Sequence, residues 1–244
     1  MENKKKTLGI LGGMGPMATV RFYELLTERT LAEKDSDHIN ALITSTASIP
    51  DRTDFILGKS KLSPAPMMCA DAVKLRDAGA DVIAVPCNTA QYFHSELSAS
   101  VDVPVLNIVD ITALHVKKRG FSCAGILATA GTVKIGAYKN ALAALGVDCI
   151  DPPEHIQALV TSVIYDYVKA GKPGGEAVFA EISDYMLSHG CDCLILGCTE
   201  LPLAAPKNDD RLVDSLETLA YESITACNCT PTGFSDAFMS AYEK

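Results

Sequence analysis

The stretch GADVIAVPCNTA at residues 79–90 has a second copy, GCDCLILGCTEL, at residues 190–201. In each copy a glycine and an aspartate precede a short apolar run, and a cysteine follows that run in a polar turn. Cys87 and Cys198 are 198 − 87 = 111 residues apart, and the glycine and the aspartate of each copy keep the same separation. This common register indicates a chain built as a two-fold repeat.

Outward from these copies, apolar runs of strand length alternate with segments whose apolar residues recur at helical spacing. Such alternation predicts an α/β protein with parallel sheets, whose ligands lie at the carboxyl ends of the strands. The pattern restarts at CAGIL, residues 123–127, which matches LGIL at residues 8–11. Strands are expected at residues 7–11, 38–45, 81–85, 103–108, 123–127, 147–150 and 212–214, and in the second cysteine copy. Helices are expected at residues 17–33, 64–78, 136–145, 155–169, 176–189 and 215–227, from about residue 110, and between the first cysteine turn and the strand at residues 103–108.

The repeat predicts two pseudo-symmetric α/β domains with parallel sheets and an active site in the cleft between them. We expect residues 1–115 and 207–244 to form the first half, because the last strand and helix follow the second repeat and return to the start. Residues 116–206 are expected to form the second half. Each cysteine then ends a strand whose carboxyl edge faces the cleft, so the two thiols are predicted to face each other over a ligand.

Composition excludes several classes of function. The 244 residues carry a net charge of −9, which disfavours nucleic acid or an anionic membrane as a partner. The sequence has no run of about 18 apolar residues, so no membrane span is predicted. The nine cysteines are odd in number and no secretion signal is recognised, so a reducing cytoplasm is expected. No metal site is expected, since the Cys227-x-Cys229 pair lacks a partnering Cys or His pair.

The two cysteine turns suggest proton transfer. A cysteine between a buried strand and a helix N-terminus lies near backbone N–H groups and the helix dipole, which favour the thiolate. We therefore expect the thiol pKa, about 8.5 for free cysteine, to be lowered to give a base usable near neutral pH. Two such thiols on opposite faces of a carbon atom remove a proton on one side and deliver one on the other, which inverts the centre.

A thiolate acting on an amino-acid α-carbon needs donors that stabilise the charge developing on the carboxylate. Asn88, Thr89 and Thr199 directly follow the two cysteines and are candidate donors. The turns GGMGP and ATAGT, which contain Met14, Thr129 and Thr132, are candidates for further donors from their backbone amides.

Six motifs spread over nearly the whole chain resemble the cofactor-independent aspartate/glutamate racemases, in the branch that contains aspartate racemase: GILGGMGPMAT, SIPDRT, VPCNTA, ATAGT, IYDYVKAG and LGCTELPL. The resemblance implies that Cys87 and Cys198 are the two bases and that no pyridoxal phosphate or other cofactor is used. It implies that Asn88, Thr89 and Thr199 hold the α-carboxylate. It further implies that Cys198 acts on the L enantiomer and Cys87 on the D enantiomer, in a homodimer.

The same resemblance implies that Arg52 and Lys169 contact the distal carboxylate of an acidic amino acid, which suits two cations. Glutamate racemases have Asp-Ser after the first strand and His after the second Cys-Thr, whereas this chain has Gly13 and Met14, and Glu200. In these positions the chain is more similar to aspartate racemase. Met14 and Glu200 are accordingly expected to contact the substrate. Gln91 replaces a histidine that many relatives have after CNTA, which leaves the substrate range open.

The sequence thus predicts an isomerase that interconverts L- and D-aspartate by a two-cysteine 1,1-proton transfer. The alternatives are a glutamate or broad-specificity racemase with the same machinery, a decarboxylase or isomerase of the same superfamily, and a non-catalytic amino-acid-binding protein that has no need of paired thiols. A dehydrogenase is disfavoured. GMGPMA at residues 13–18 matches G-x-G-x-x-A, but the second strand ends in Thr44, Ser45 and Thr46 rather than in an acidic residue.

Overall fold

Two four-stranded parallel sheets with the same strand order form the frame of the protein, in a computed structural model that describes residues 4–242. The order is β2-β1-β3-β4 in the first sheet and β6-β5-β7-β8 in the second. The predicted α/β class with two pseudo-symmetric parallel sheets is confirmed. The strands are β1 Thr7–Gly12, β2 Asn40–Ser45, β3 Val82–Ala84, β4 Val105–Leu106, β5 Cys123–Ala128, β6 Asp148–Ile150, β7 Cys193–Gly197 and β8 Leu212–Asp214.

Helices flank both sheets, and two of the predicted helices differ in extent or type. The helix expected to reach residue 33 ends at residue 28, and the one expected at residues 155–169 changes to π-helical hydrogen bonding over Val163–Val168. Within residues 4–242 no helix is long and apolar enough to cross a membrane. The helices are α1 Pro16–Glu28, α2 Arg52–Ile56, α3 Ala65–Asp77, α4 His94–Ser100, α5 Ile108–Lys118, α6 Ala130–Lys134, α7 Ala137–Ala144, α8 Glu154–Ser162, α9 Gly175–Ser188, α10 Ser215–Ala226 and α11 Asp236–Met239, with 3₁₀ turns at Asp35–Asp37, Thr89–Phe93 and Leu201–Leu203. Three short helices of this set, α2, α6 and α11, were not predicted.

The apolar side chains of the strands pack into three separate cores. Ile10, Ile126 and Ile195 from the two sheets belong to one inner core together with residues of α1, α5, α7 and α10. Successive residues of a strand point to opposite faces, so Leu11 lies in an outer core under α3 and α4, and Leu127 in another under α8 and α9. The two halves therefore share their central apolar layer, which fixes the distance between the two strand edges that carry the cysteines.

The Gly-x-Asp that opens each cysteine copy has a structural role. Gly79 and Gly190, just after α3 and α9, have φ of +100° and +101°, a left-handed conformation that glycine adopts at little cost. Asp81 then accepts a hydrogen bond at 2.8 Å from the N–H that opens β1. Asp192 accepts two, at 2.8 and 2.9 Å, from N–H groups at the start of β5. The motif thus reverses the chain and fastens the third strand of each sheet to the first.

The last strand does not return to the first half, contrary to the expectation for residues 207–244. β8 pairs in parallel with β7 and is an edge strand of the second sheet. The repeat explains this, because β8 occupies the position that β4 has in the first sheet, and α10 follows β8 as α5 follows β4. The remainder of the segment does contact the first half: α10 packs against α1, and Leu31 N–H donates to the Thr230 carbonyl at 2.8 Å.

Candidate active site

The two cysteine turns meet at one pocket. Cys87 lies three residues after the end of β3, and Cys198 directly follows β7. The residues are 7% and 8% exposed, and both thiols are free. They line one narrow pocket that opens to solvent, and its roughly 350 Å³ of space between atoms includes some of that solvent. Because parallel strands of the two sheets end at this pocket, turns from both halves of the chain surround the space between the thiols.

Ten of the eleven predicted site residues line this pocket, and the structure adds four others. Thr132 does not line it, but lies behind it with its hydroxyl 3.0 Å from that of Thr89. The ten are Met14, Arg52, Cys87, Asn88, Thr89, Thr129, Lys169, Cys198, Thr199 and Glu200. The residues that sequence reasoning missed are Asp51, Thr53, Tyr165 and Gly197.

Asn88 is held by the second half of the chain. Its amide donates to the Ser215 hydroxyl at 3.0 Å, and its carbonyl accepts a hydrogen bond from the Tyr138 hydroxyl. Ser215 in turn donates to the Leu196 carbonyl of β7 at 2.8 Å. A primary amide has two N–H donors, so one N–H of Asn88 is left for a ligand. These contacts fix the first cysteine turn in position against β7 and α10.

Threonine hydroxyls connect the halves on another side of the pocket. Thr89 Oγ1 lies 3.0 Å from Thr129 Oγ1, and Thr53 donates to Thr129 at 3.4 Å. A Cβ built on Gly131 would lie 3.1 Å from the Thr53 backbone, so glycine at residue 131 lets the N-terminal turns of α2 and α6 approach closely without a shift of either. The SIPDRT and ATAGT motifs therefore bring the two halves into contact beside the thiols.

Glu200 contacts the second cysteine. The Cys198 thiol donates to Glu200 Oε2 at 2.9 Å, and the Thr199 hydroxyl donates to the same oxygen at 3.2 Å. Burial, and then the adjacent carboxylate, raise the pKa of Cys198 well above that of a free thiol. The expectation of a lowered pKa is wrong for this residue, because removal from water and a neighbouring negative charge both disfavour the thiolate.

The two predicted cations come from opposite halves. Lys169 follows the π-helical segment, with its ammonium 3.3 Å from Glu200 Oε1 and 5.0 Å from the Tyr165 ring. Burial lowers the pKa of Lys169, but the charge of Glu200 foremost opposes it and the pKa is raised, so the ammonium is retained. Arg52 opens α2 and donates to the carbonyls of Met14 and Pro50, each at 3.2 Å. The loops thus orient two cations towards one pocket.

Some of the missed residues had a sequence signal. Tyr165 precedes Lys169 by four residues, a spacing that places two side chains on one face of a helix. Asp51 lies inside the quoted SIPDRT motif and caps α2 by accepting from the Asp54 N–H at 2.8 Å. Tyr138 and Ser215, which hold Asn88, lie in no motif. Within residues 4–242 no group of three or more His, Cys, Asp or Glu side chains is arranged to hold a metal ion.

Comparison with known proteins places this site in a family context. A family model described as Asp/Glu/hydantoin racemase matches residues 11–222. The chain is 27% identical over 229 residues to the broad-specificity amino-acid racemase RacX of Bacillus subtilis, with 89% of this chain and 96% of RacX covered. The structure of Picrophilus torridus aspartate racemase is similar with a TM-score of 0.84 and 31% identity, over 93% of this chain and 96% of that one. An aspartate racemase homologue from Pyrococcus horikoshii has a TM-score of 0.76 at 25% identity, over 91% and 99% of the two chains.

Proposed function

Because the chain belongs to the Asp/Glu/hydantoin racemase family and is an amino-acid racemase, an isomerase, we propose that it interconverts L- and D-aspartate by proton transfer between two cysteines, without a cofactor. The observation that carries the proposal is that Cys87 and Cys198, two buried cysteines from equivalent turns of two sheets, line one pocket. A protein that only bound an amino acid would need the cations of this pocket but not a matched pair of thiols.

In the proposed reaction the thiolate of one cysteine takes the α-proton, so that an S–H bond forms as the Cα–H bond breaks. The electron pair moves into the α-carboxylate, and the second thiol then delivers its own proton to the opposite face of Cα. No electrons are gained or lost overall, and the product is the mirror image. Donors preorganised around the carboxylate lower this barrier. Asn88 and Thr89, which line the pocket, are the proposed donors, and Thr199 would join them once its hydroxyl leaves Glu200.

The proposed substrate follows from charge. Aspartate has two carboxylates, and the pocket has two cations, Arg52 and Lys169, that enter from opposite halves of the chain. A guanidinium pairs with a carboxylate through parallel hydrogen bonds. The likeness to an aspartate racemase, at 31% identity, supports the same choice.

A second candidate is a racemase with a broad substrate range, which one contact favours. Lys169 is already paired with Glu200, so an amino acid with an uncharged side chain leaves this ion pair intact while its α-carboxylate takes Arg52 and the turn donors. Likeness to RacX, a broad-specificity racemase, supports this candidate, and glutamate belongs to the range to be tested.

The experiment is incubation of reduced protein with L-aspartate, L-glutamate or L-alanine in D₂O, followed by chiral chromatography and by ¹H NMR of the α-proton. The expected product is D-aspartate with deuterium at Cα, with kcat/KM for alanine about 100-fold lower, the loss expected for roughly 3 kcal/mol of missing charged contact. Equal rates with all three would support the broad-range candidate. Binding of aspartate by calorimetry without α-proton exchange would support a binding protein instead.

A further inference from the structure

The second residue after each cysteine differs between the two turns. Glu200 stands 111 residues after Thr89, the separation that relates the two cysteines, so the repeat places a carboxylate where the first turn has a hydroxyl. Thr89 is engaged with Thr129 of the other half. Glu200, with a side chain only 13% exposed, instead turns back to the thiol of Cys198.

The contact between Cys198 and Glu200 is favourable in only one protonation state. An S–H that donates to a carboxylate at 2.9 Å forms a hydrogen bond, whereas a thiolate at that distance would meet a like charge, and both groups are largely buried. The Lys169 ammonium opposes this effect because it attracts a thiolate, but it lies at the other carboxylate oxygen of Glu200, Oε1. The closer partner of the sulfur is therefore the negative one.

Other groups around Cys198 do not reverse this balance. Burial raises the pKa values of Tyr165, in the π-helical segment, and of Tyr138, on α7, so both are neutral near neutral pH. Asp51 and Arg52 line the same pocket from the first half and carry opposite charges. The titratable groups that interact electrostatically with the thiol are Glu200 from its own turn, Lys169 and Tyr165 from the segment after α8, and Tyr138 from α7.

We propose that Glu200 is a positioning residue that keeps Cys198 protonated in the free enzyme, so that Cys198 begins the two-base reaction as the proton donor. In the part of the chain that the structure describes, no hydrogen bond joins the Cys87 sulfur to a carboxylate. The consequence for catalysis rests on the proposed racemisation. If Cys198 starts protonated, the free enzyme first attacks the enantiomer whose α-proton faces Cys87. Reaction in the other direction needs the Cys198 proton to leave first, to the Glu200 carboxylate or to water.

The test is the rate of alkylation of each cysteine by iodoacetamide between pH 6 and 10, read by peptide mass spectrometry in the wild type, Glu200→Gln and Glu200→Asp. Glutamine keeps the shape of the side chain without its charge. At pH 8 alkylation of Cys198 is expected to be at least about tenfold faster in Glu200→Gln, the factor that one pKa unit gives, with Cys87 changed by less than about twofold. Glu200→Asp should keep most of the wild-type pH profile. Glu154→Gln, a glutamate at the exposed start of α8, is the matched control.

An unchanged pH profile of Cys198 in Glu200→Gln would overturn the proposal. Equal acceleration at both cysteines would also overturn it, because that result indicates a pocket opened to the reagent rather than an altered thiol. Thermal unfolding of each variant checks that the fold is retained. Alkylation needs no turnover, so the result stands even if the wild-type protein racemises no amino acid, an outcome that would count against the proposed function alone.

Discussion

The turns after Cys87 and Cys198 come from the same repeat but make different contacts. In the first turn, Asn88 and Thr89 point across the molecule and are hydrogen-bonded to residues of the second half. In the second turn, Glu200 contacts its own cysteine and Lys169. Duplication supplied two thiols at equivalent strand ends, and divergence at the next two positions made one turn a structural connection and the other an electrostatic partner. A chiral substrate requires such a difference, since a symmetric site would bind it in two orientations.

Removing either thiol tests whether the two turns act as a pair, and the largest effect is expected here. Cys87→Ala and Cys198→Ala should each lower racemisation about 10²- to 10⁴-fold, the usual contribution of a general acid or base. In D₂O, ¹H NMR should still show α-proton exchange from one enantiomer only: L with Cys198 left, D with Cys87 left. Cys69→Ala, which changes a cysteine of α3 outside the pocket, is the control. Unchanged racemisation in either variant would refute the two-base mechanism.

Lys169, which is paired with Glu200 of the second turn, tests whether this side of the pocket also selects the substrate. Lys169→Met keeps the length of the side chain without its charge, and kcat/KM for aspartate should fall about 10- to 100-fold, since a hydrogen bond to a charged group contributes about 1.5–3 kcal/mol. The loss for alanine should be smaller, as alanine has no distal carboxylate. Steady-state kinetics with both substrates measure the difference, with the exposed Lys172→Met as the control. Equal losses for both substrates would favour the broad-range candidate.

The helices that follow the fourth strands offer a comparison at the level of stability. Asn107 caps α5 and Asp214 caps α10, each by accepting from backbone N–H groups. Burial, and then the charge of Glu217, raise the pKa of Asp214 to about 7. Between pH 4 and 7 the folded protein therefore binds a proton at Asp214 that the unfolded chain has released, so stability falls as pH rises through this range.

Asp214→Asn copies the cap of the first half and should remove this loss. The stability of the variant relative to the wild type should be about 1–2 kcal/mol greater at pH 8 than at pH 5. This is less than the roughly 4 kcal/mol of a full three-unit pKa shift, because Asp214 is only partly shielded from solvent. Urea unfolding of both proteins at the two pH values measures it. If the pH dependence of unfolding is the same in the variant, Asp214 does not titrate in this range.

The smallest effect is expected at the two aspartates that join the strands. Asp81 accepts one backbone hydrogen bond and Asp192 accepts two. At about 1 kcal/mol for each bond, Asp192→Ala should cost roughly twice the unfolding free energy that Asp81→Ala costs, as measured by urea unfolding. A larger loss in Asp81→Ala would contradict the assignment of these hydrogen bonds as the source of the effect.

Much of the fold was predictable because local patterns and the fold agree. Helices such as α3 and α9 lie within a residue or two of the expected bounds, since apolar spacing and the glycine after each helix both indicate the same end. Prediction failed where a long-range contact decides. Residues 52–56 form α2 rather than only a polar turn, and β8 pairs with β7 in the second sheet rather than returning to the first.

The site was predictable in its membership more than in its chemistry. The repeat alone pointed to Cys87 and Cys198, and the motifs added Arg52 and Lys169 from distant parts of the chain. The raised pKa of Cys198 was not predicted. The sequence indicated only the local effects that lower a thiol pKa, namely the helix dipole and the turn amides. The burial of the thiol and the direction of the Glu200 side chain were not visible there.

The sequence by itself determined the two-fold repeat, the parallel α/β architecture and the two cysteines at equivalent strand ends, since these depend on periodicity and on short motifs. Only the tertiary structure decided that the halves share an inner core, that Asn88 is held by Tyr138 and Ser215, and that Glu200 faces Cys198. These features depend on contacts between residues far apart in the chain. The protonation of a thiol follows from the water and charge around it, and the folded structure sets both.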